Sequence, residues 1–108
     1  MIIAEIIIKD KDIDKNVRIL NSYEECLRRN PDGLIKDKKY NNENEINKCQ
    51  ITINDEPIPF NYFHKFKSEG KYIIKYSFMN YLTKTNQMFR DCKFLKNIDL
   101  SKLSSKGY

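Results

Sequence analysis

The fold is indicated first by an alternating stretch in the second half of the chain, Tyr72-Ile73-Ile74-Lys75-Tyr76-Ser77-Phe78. Every even-numbered position in this stretch is aromatic or aliphatic, whereas the positions between them include Lys75 and Ser77. Successive side chains of a β-strand point to opposite faces of the sheet. This period of two therefore predicts a strand with one face in a core and the other toward solvent.

A second strand is expected at the N-terminus, where the apolar run from Ile2 to Ile8 contains Glu5 as its one polar residue. The run is long enough for a buried strand and too short for a helix that is apolar on all sides. After a charged turn at residues 9–16, the run Val17-Arg18-Ile19-Leu20 is expected to return antiparallel beside it. We therefore predict an N-terminal hairpin.

The next segment has the start and stop signals of one helix. Ser22 can accept a hydrogen bond from a first-turn amide, and Glu25, three positions later, can reach back to the cap. The run Asn30-Pro31-Asp32-Gly33 should end the helix. Residues 34–48 are highly charged and have little periodicity, so they are predicted to form a mobile insertion or an irregular loop, without core contacts.

A second hairpin is predicted from Cys49–Ile53 and Pro57–Phe60, followed by a short aromatic connector at residues 61–66. This order of elements predicts an α+β fold for residues 1–80, with the layout of a ubiquitin-like β-grasp sheet around one helix. In that layout the first strand and the Tyr72–Phe78 strand are neighbours. An immunoglobulin-like β-sandwich is the alternative, suggested by the aromatic alternation of the last strand.

The C-terminal part carries a spaced pattern, Met88-Phe89-x-x-Cys92-x-x-Leu95-x-x-Ile98-x-Leu100-Ser101-x-Leu103. The pattern resembles the repeat of surface-antigen (BspA-like) leucine-rich repeat proteins, and residues 45–80 resemble the region that precedes such repeats. The resemblance implies that the Met-Phe pair, the cysteine and a leucine pack inward, and that the Leu-x-x-Ile-x-Leu segment at residues 95–100 is a strand on the solenoid face. Residues 81–108 are therefore interpreted as a single leucine-rich repeat that packs on, or extends from, the domain at residues 1–80.

The same resemblance implies a role in protein binding. A solenoid of this class needs roughly three or more repeats to bury its faces, and here the pattern occurs once, so an open repeat edge is expected. Asn97, Asp99 and Ser101 are the outward positions, and together with Leu103 they form the predicted partner-binding set. The expected function is a non-catalytic protein–protein interaction module, a short or truncated leucine-rich repeat protein, with self-association through the open edge as one mode of assembly.

Charge is distributed unevenly along the 108 residues. Residues 1–56 carry 10 Lys/Arg and 12 Asp/Glu, and residues 57–108 carry 10 and 3, so the halves have formal charges of −2 and +7 and sum to +5. Lysines interleaved with aromatic residues in the second half make a basic nucleic-acid-binding domain the alternative function. On the Tyr72–Phe78 strand, however, the aromatic side chains face away from Lys75, which favours a core role for them.

The titratable residues suggest no reaction. The lone His64 has no nucleophile at a recognisable spacing, and Cys26, Cys49 and Cys92 lack the spacing of a zinc site or a closed disulfide framework. We therefore expect no enzymatic activity, no cofactor and no metal. Reduced thiols and the lack of a secretory signal or membrane-spanning segment indicate a cytoplasmic protein without a membrane partner.

Overall fold

The computed structural model describes residues 1–32, 36–78, 85 and 87–100. The strands are β1 (Ile2–Ile8), β2 (Asn16–Arg18), β3 (Gln50–Ile53), β4 (Glu56–Ile58), β5 (Phe63–Lys65), β6 (Gly70–Ser77) and β7 (Leu95–Asp99). The helices are α1 (Tyr23–Arg29) and α2 (Glu43–Ile46), with 3-10 helices at Asp10–Asp12 and Lys38–Tyr40. The predicted α+β class is confirmed, and the two helices do not fit the immunoglobulin-like alternative.

The main sheet has five strands in the order β4-β3-β6-β1-β7, and every neighbouring pair is antiparallel. Strands β1 and β6 pair along their whole length, from Ile2 opposite Tyr76 to Ile8 opposite Gly70. The two most apolar strands of the chain are thus neighbours, as predicted. The predicted second hairpin is also confirmed, because β3 and β4 pair through the turn at Asn54 and Asp55.

The core lies on one face of this sheet and follows the predicted alternation. Ile74 and Tyr76 of β6 are fully buried, and the even-numbered side chains of β1 are buried beside them. The hydroxyl of Tyr76 donates a hydrogen bond of 2.6 Å to the carbonyl oxygen of Ile19, so its polar end is satisfied inside the core. This contact joins the sheet to the segment that precedes α1.

The predicted N-terminal hairpin is wrong. Strand β2 pairs with β5 in a separate two-stranded sheet, with Val17 opposite His64, and the aromatic connector predicted at residues 61–66 supplies that partner strand. Both sides of β1 are already occupied, by β6 and β7. The apolar side chains of Val17, Ile19 and Leu20 are nevertheless fully buried, so the segment crosses the core instead of extending the main sheet.

Helix α1 begins as predicted, because the Ser22 Oγ accepts a hydrogen bond of 3.1 Å from the Glu25 amide. The reciprocal half of the expected capping box is replaced, since the Ser22 amide donates to the side chain of Asn21 at 2.9 Å. The helix ends at Arg29, before the predicted stop at Asn30. Within the described ranges, no helix has both the length and the apolar character needed to cross a membrane.

The prediction of an irregular loop without core contacts at residues 34–48 is wrong for the described part, residues 36–48. Ile46 of α2 is fully buried in the core. The side-chain oxygen of Asn42 accepts a hydrogen bond of 2.9 Å from the Tyr23 amide, and the Glu24 carboxylate accepts one of 2.9 Å from the Asn42 amide. The segment is therefore attached to the beginning of α1 and contributes to the core.

Candidate interaction surface

Strand β7 is held at the sheet edge by the turns that precede it. Met88 and Cys92 are buried, and the Phe89 ring packs edge-on against Tyr76 with ring centroids 5.5 Å apart. The Asn21 amide donates a hydrogen bond of 2.7 Å to the Met88 carbonyl oxygen. The Met-Phe pair and the cysteine thus pack inward, and they fix the position from which β7 starts.

A bulge interrupts the pairing of β7 with β1. Lys96 lies opposite Glu5 and Asp99 lies opposite Ile3, so three steps along β7 match two steps along β1. Asn97 occupies the bulge with a left-handed φ of 51°, a conformation that asparagine tolerates better than most residues. Because Glu5 and Ile3 share the face of β1 that points away from the core, Lys96 and Asp99 share that face as well.

The side chain of Asn97 is bound within the sheet. Its Nδ2 donates a hydrogen bond of 2.7 Å to the Glu5 Oε2, while the Lys71 Nζ lies 3.1 Å from the Glu5 Oε1. The bond from Asn97 and the contact with Lys71 lower the pKa of Glu5. Asn97 therefore ties the edge strand to β1, and the polar groups on this face form a connected row.

The two edges of the main sheet differ in their capacity to accept another strand. Strand β4 has three residues, includes Pro57 and is followed by Pro59, and proline lacks the N–H that a strand ladder requires. Strand β7 has five residues and no proline, and the exposed fractions of Ile98 and Leu100 are 37% and 50%. The β7 edge therefore has the backbone and the apolar side chains that strand addition uses.

No protein-family model, curated protein or solved structure matches this chain. The resemblance to BspA-like repeats consequently stays a proposal that depends on the Met88–Leu103 pattern. Function has to be inferred from the geometry of the chain itself.

The predicted partner-binding residues fall in two groups. Asn97 and Asp99 lie on β7, where Asn97 is bound to Glu5, whereas Ser101 and Leu103 lie outside the described residues. Sequence reasoning did not select Lys96, because Lys96 and Asp99 would point to opposite faces of a regular strand.

The exposed apolar residues of the edge were missed for a different reason. The predicted outward positions are Asn97, Asp99 and Ser101, so Ile98 and Leu100 between them were not selected, but the structure leaves both exposed. Their hydrophobic character was the available signal, and its interpretation depended on which side of the strand the core occupies.

A second cluster of polar groups is buried between β2 and α1. The side chains of Arg18 and Glu25 are 8% and 9% exposed, and the Arg18 Nη2 lies 3.0 Å from the Glu25 Oε2. Arg18 also donates to the Leu20 carbonyl oxygen at 3.1 Å. Arg28 and Arg29 complete the cluster, with nitrogens 3.1 and 2.9 Å from the Glu25 carboxylate. Three guanidinium groups thus surround one carboxylate, which joins helix α1 to the body of the domain.

We expect the stability of the fold to be sensitive to acid because of two carboxylates in this region, those of Glu25 and Glu43. Burial raises the pKa of Glu25, but hydrogen bonds from Arg29, Arg18 and Arg28 outweigh it, so the net pKa is lowered from 4.5. The hydrogen bond from Arg28 lowers the pKa of Glu43 despite burial, and the hydroxyl of Tyr62 adds a bond of 2.6 Å. Both carboxylates therefore stabilise the fold fully above pH 4.5, and this contribution is lost as the pH falls through their lowered pKa values.

Urea unfolding measured across a pH series should accordingly show a free energy of unfolding that declines below pH 4.5. The variant Glu43→Gln should show a shallower decline, because one of the two carboxylates no longer titrates. A free energy of unfolding that rises on acidification, or a decline that is equally steep in the variant, would contradict this assignment.

His64 lines a groove between β4 and β5 of about 570 Å³. Its ring packs edge-on against Phe66 with centroids 4.7 Å apart, and burial, with the nearby Lys67, lowers the pKa of His64. No thiol or hydroxyl is among the described residues that line this groove. Across the described residues, no group of three His, Cys, Asp or Glu side chains could hold a metal ion.

The three thiols lie inside the structure. Cys26, Cys49 and Cys92 are buried and unpaired. Burial raises the pKa of Cys26, and it raises those of Cys49 and Cys92 to about 12. All three are therefore neutral thiols at neutral pH, the protonation state in which cysteine is a poor nucleophile and metal ligand.

The described basic and aromatic residues of the second half are engaged partly in core packing and partly in ion pairs. Tyr76 is buried, and Tyr72 and Phe78 are half-buried and pack against the core, which confirms the core role predicted for the aromatic residues of the Tyr72–Phe78 strand. Phe66, outside that strand, is buried as well. Three of the lysines lie within 3.1 Å of an acidic oxygen, namely Lys67 with Asp14, Lys71 with Glu5 and Lys75 with Asp55. These ion pairs reduce the local excess of positive charge that a nucleic acid would meet.

Proposed function

We propose that this chain is a non-catalytic protein-interaction module that binds its partner by strand addition at β7. The observation that carries the proposal is the contrast between the edges of the main sheet. The β7 edge is free of proline and has two exposed apolar residues, whereas the β4 edge contains Pro57 and is followed by Pro59. In strand addition, main-chain hydrogen bonds provide affinity and alternate side chains provide specificity.

The proposal includes the finer fold assignment. Residues 1–80 would be a β-grasp-like domain, and residues 81–108 a single BspA-like repeat that contributes β7. The adjacency of β1 and β6 and the inward packing of Met88 and Cys92 support this assignment. Strand β7 pairs with β1 at the edge of the main sheet, so the repeat would extend the sheet of the domain. The buried free thiols are in keeping with a cytoplasmic location.

The edge can be tested with peptides selected from a random library displayed on phage. Peptides rich in β-branched residues should be enriched on the wild-type chain. The variant Ile98→Lys/Leu100→Lys should weaken their binding by at least about tenfold, because lysines on an edge strand oppose the approach of another strand. Affinities would be measured by isothermal titration calorimetry, after circular dichroism has shown that the variant is folded.

The control is Ile7→Lys, which adds one lysine, against two in the edge variant, at an isoleucine that is 45% exposed on β1, away from the edge. Its peptide affinity should match that of the wild type. Loss of binding in this control but not in the edge variant would place recognition on the sheet face and overturn the proposal. Binding of polyanions alone, with a steep dependence on salt, would favour the alternative of a basic nucleic-acid-binding domain.

A further inference from the structure

The arrangement of charges on β7 indicates what the edge strand can bind. We propose that the partner is a second copy of this chain, paired β7 to β7 antiparallel about a two-fold axis that runs perpendicular to the sheet. In this pairing Lys96 of each copy faces Asp99 of the other. The inference rests on the proposed function, since it uses the same edge, and it adds the identity and register of the partner.

The register follows from the sequence of the strand. When the axis passes between Asn97 and Ile98, Asn97 of one copy lies opposite Ile98 of the other. Each step along one strand away from this pair matches one step in the opposite direction along the other strand. Lys96 then meets Asp99, and Asp99 meets Lys96, so the symmetry makes the ion pair twice. Leu95 meets Leu100 in the same register. One strand therefore provides both charges and both apolar partners needed for self-pairing.

The bulge at Asn97 makes this register workable. Opposed side chains of neighbouring strands interact only when they share a face of the sheet, and an axis perpendicular to the sheet keeps every side chain on its own face. In a regular strand, Lys96 and Asp99 would point to opposite faces and could not meet. The shifted pairing with β1, in which Lys96 lies opposite Glu5 and Asp99 opposite Ile3, places both on the face away from the core.

Charges within the sheet already alternate up to this edge. Lys71 of β6 binds Glu5 of β1 at 3.1 Å, and Lys96 of β7 is the cross-strand neighbour of Glu5. Asp99 of a second copy would add a negative charge next to Lys96. The row would then read Lys71, Glu5, Lys96 and the second Asp99, with the sign changing at every step. This complementarity favours a second copy over an uncharged strand of unrelated sequence.

The interface would be small. One strand pair buries less than the roughly 1,200 Å² that stable complexes bury, so the dimer should be weak and dependent on concentration. Exposed Ile98 and Leu100 would contribute apolar contacts beside the ion pairs. Because the ion pairs are exposed to solvent, high salt should weaken the dimer without abolishing it.

Sedimentation equilibrium of the full chain, from about 10 μM to about 1 mM, tests the proposal by charge reversal. The wild type should dimerise reversibly. Lys96→Glu and Asp99→Lys should each raise the dissociation constant at least about tenfold, because like charges then face each other twice. The combination Lys96→Glu/Asp99→Lys should return it to within about threefold of the wild type. Lys48→Glu makes the same charge change at an exposed residue before β3 and should have no effect.

The outcomes separate this inference from the proposed function. A wild type that stays monomeric while the selected peptides still bind the edge would overturn self-pairing and leave the proposed function standing. If the single charge reversals leave the dissociation constant of the dimer unchanged, or if the double reversal does not restore it, the proposed register is overturned. A dimer that persists in Ile98→Lys/Leu100→Lys, combined with an unchanged affinity of the selected peptides for the same variant, would overturn both proposals.

Discussion

Arg18→Met is expected to lower the free energy of unfolding by about 3 kcal/mol, because it breaks a buried ion pair from one side. Methionine keeps part of the aliphatic volume but removes the guanidinium that lies 3.0 Å from the Glu25 carboxylate. It also leaves the Leu20 carbonyl oxygen without the side-chain donor at 3.1 Å, and removes the cation that lies 4.2 Å above the Phe63 ring. Urea unfolding followed by circular dichroism measures the loss.

Two further variants show whether the loss comes from the buried charge. Arg29→Met removes a guanidinium that is 60% exposed and bound to the same carboxylate, so it should cost less than about 1 kcal/mol. Arg18→Met/Glu25→Leu removes both buried charges and should recover part of the loss, because the buried carboxylate no longer remains without its buried partner. The assignment fails if Arg18→Met costs no more than Arg29→Met.

The parts of the fold that the sequence predicted correctly depend on local patterns. The alternation of Tyr72–Phe78 and the apolar run of Ile2–Ile8 set the faces of β6 and β1, and their pairing follows because both need the same core. The hydroxyl of Ser22 begins α1 through a contact only three residues away. In each case the residues that determine the element are close in sequence or share one hydrophobic face.

The errors arise where distant segments compete for the same place. Val17 and its neighbours have the composition of a strand, but they could pair with β1 only if one side of β1 were unpaired. Strand β7 occupies the side of β1 that β6 does not. The segment around Ile46 is polar and without periodicity, so a single buried isoleucine could not be recognised as a core residue. Its position is fixed by polar contacts of Asn42 and Glu24 with each other and with the start of α1.

The candidate surface was predicted in part for a similar reason. The spacing of the Met88–Leu103 pattern placed a strand where β7 lies, and it selected Asn97 and Asp99. The bulge was not predictable from the sequence. Asparagine tolerates a left-handed φ but does not require it, and with 12 asparagines in the chain nothing marks Asn97 as the one that adopts it at a strand. Without the bulge, Lys96 could not be recognised as sharing a face with Asp99.

Ile46→Ala is expected to lower the free energy of unfolding by about 3 kcal/mol, because it leaves a cavity where a fully buried isoleucine packs against the core. The size of the effect measures how firmly α2 is part of the domain. If the segment were a peripheral loop, as its composition suggested, the substitution would have almost no cost. Chemical denaturation with urea gives the difference in free energy of unfolding between variant and wild type directly, provided that the slope of this free energy against urea concentration is the same in both.

Asn44→Ala is the matched control, since Asn44 is exposed on the same short helix and its replacement should change stability by less than about 0.5 kcal/mol. Hydrogen exchange then separates two causes of instability in Ile46→Ala. If α2 is integral to the core, exchange should accelerate in β1 and β6 together with α2, because the whole domain opens more often. Acceleration confined to residues 36–48 would instead mean that this segment opens by itself, and it would contradict the assignment of Ile46 to the cooperative core.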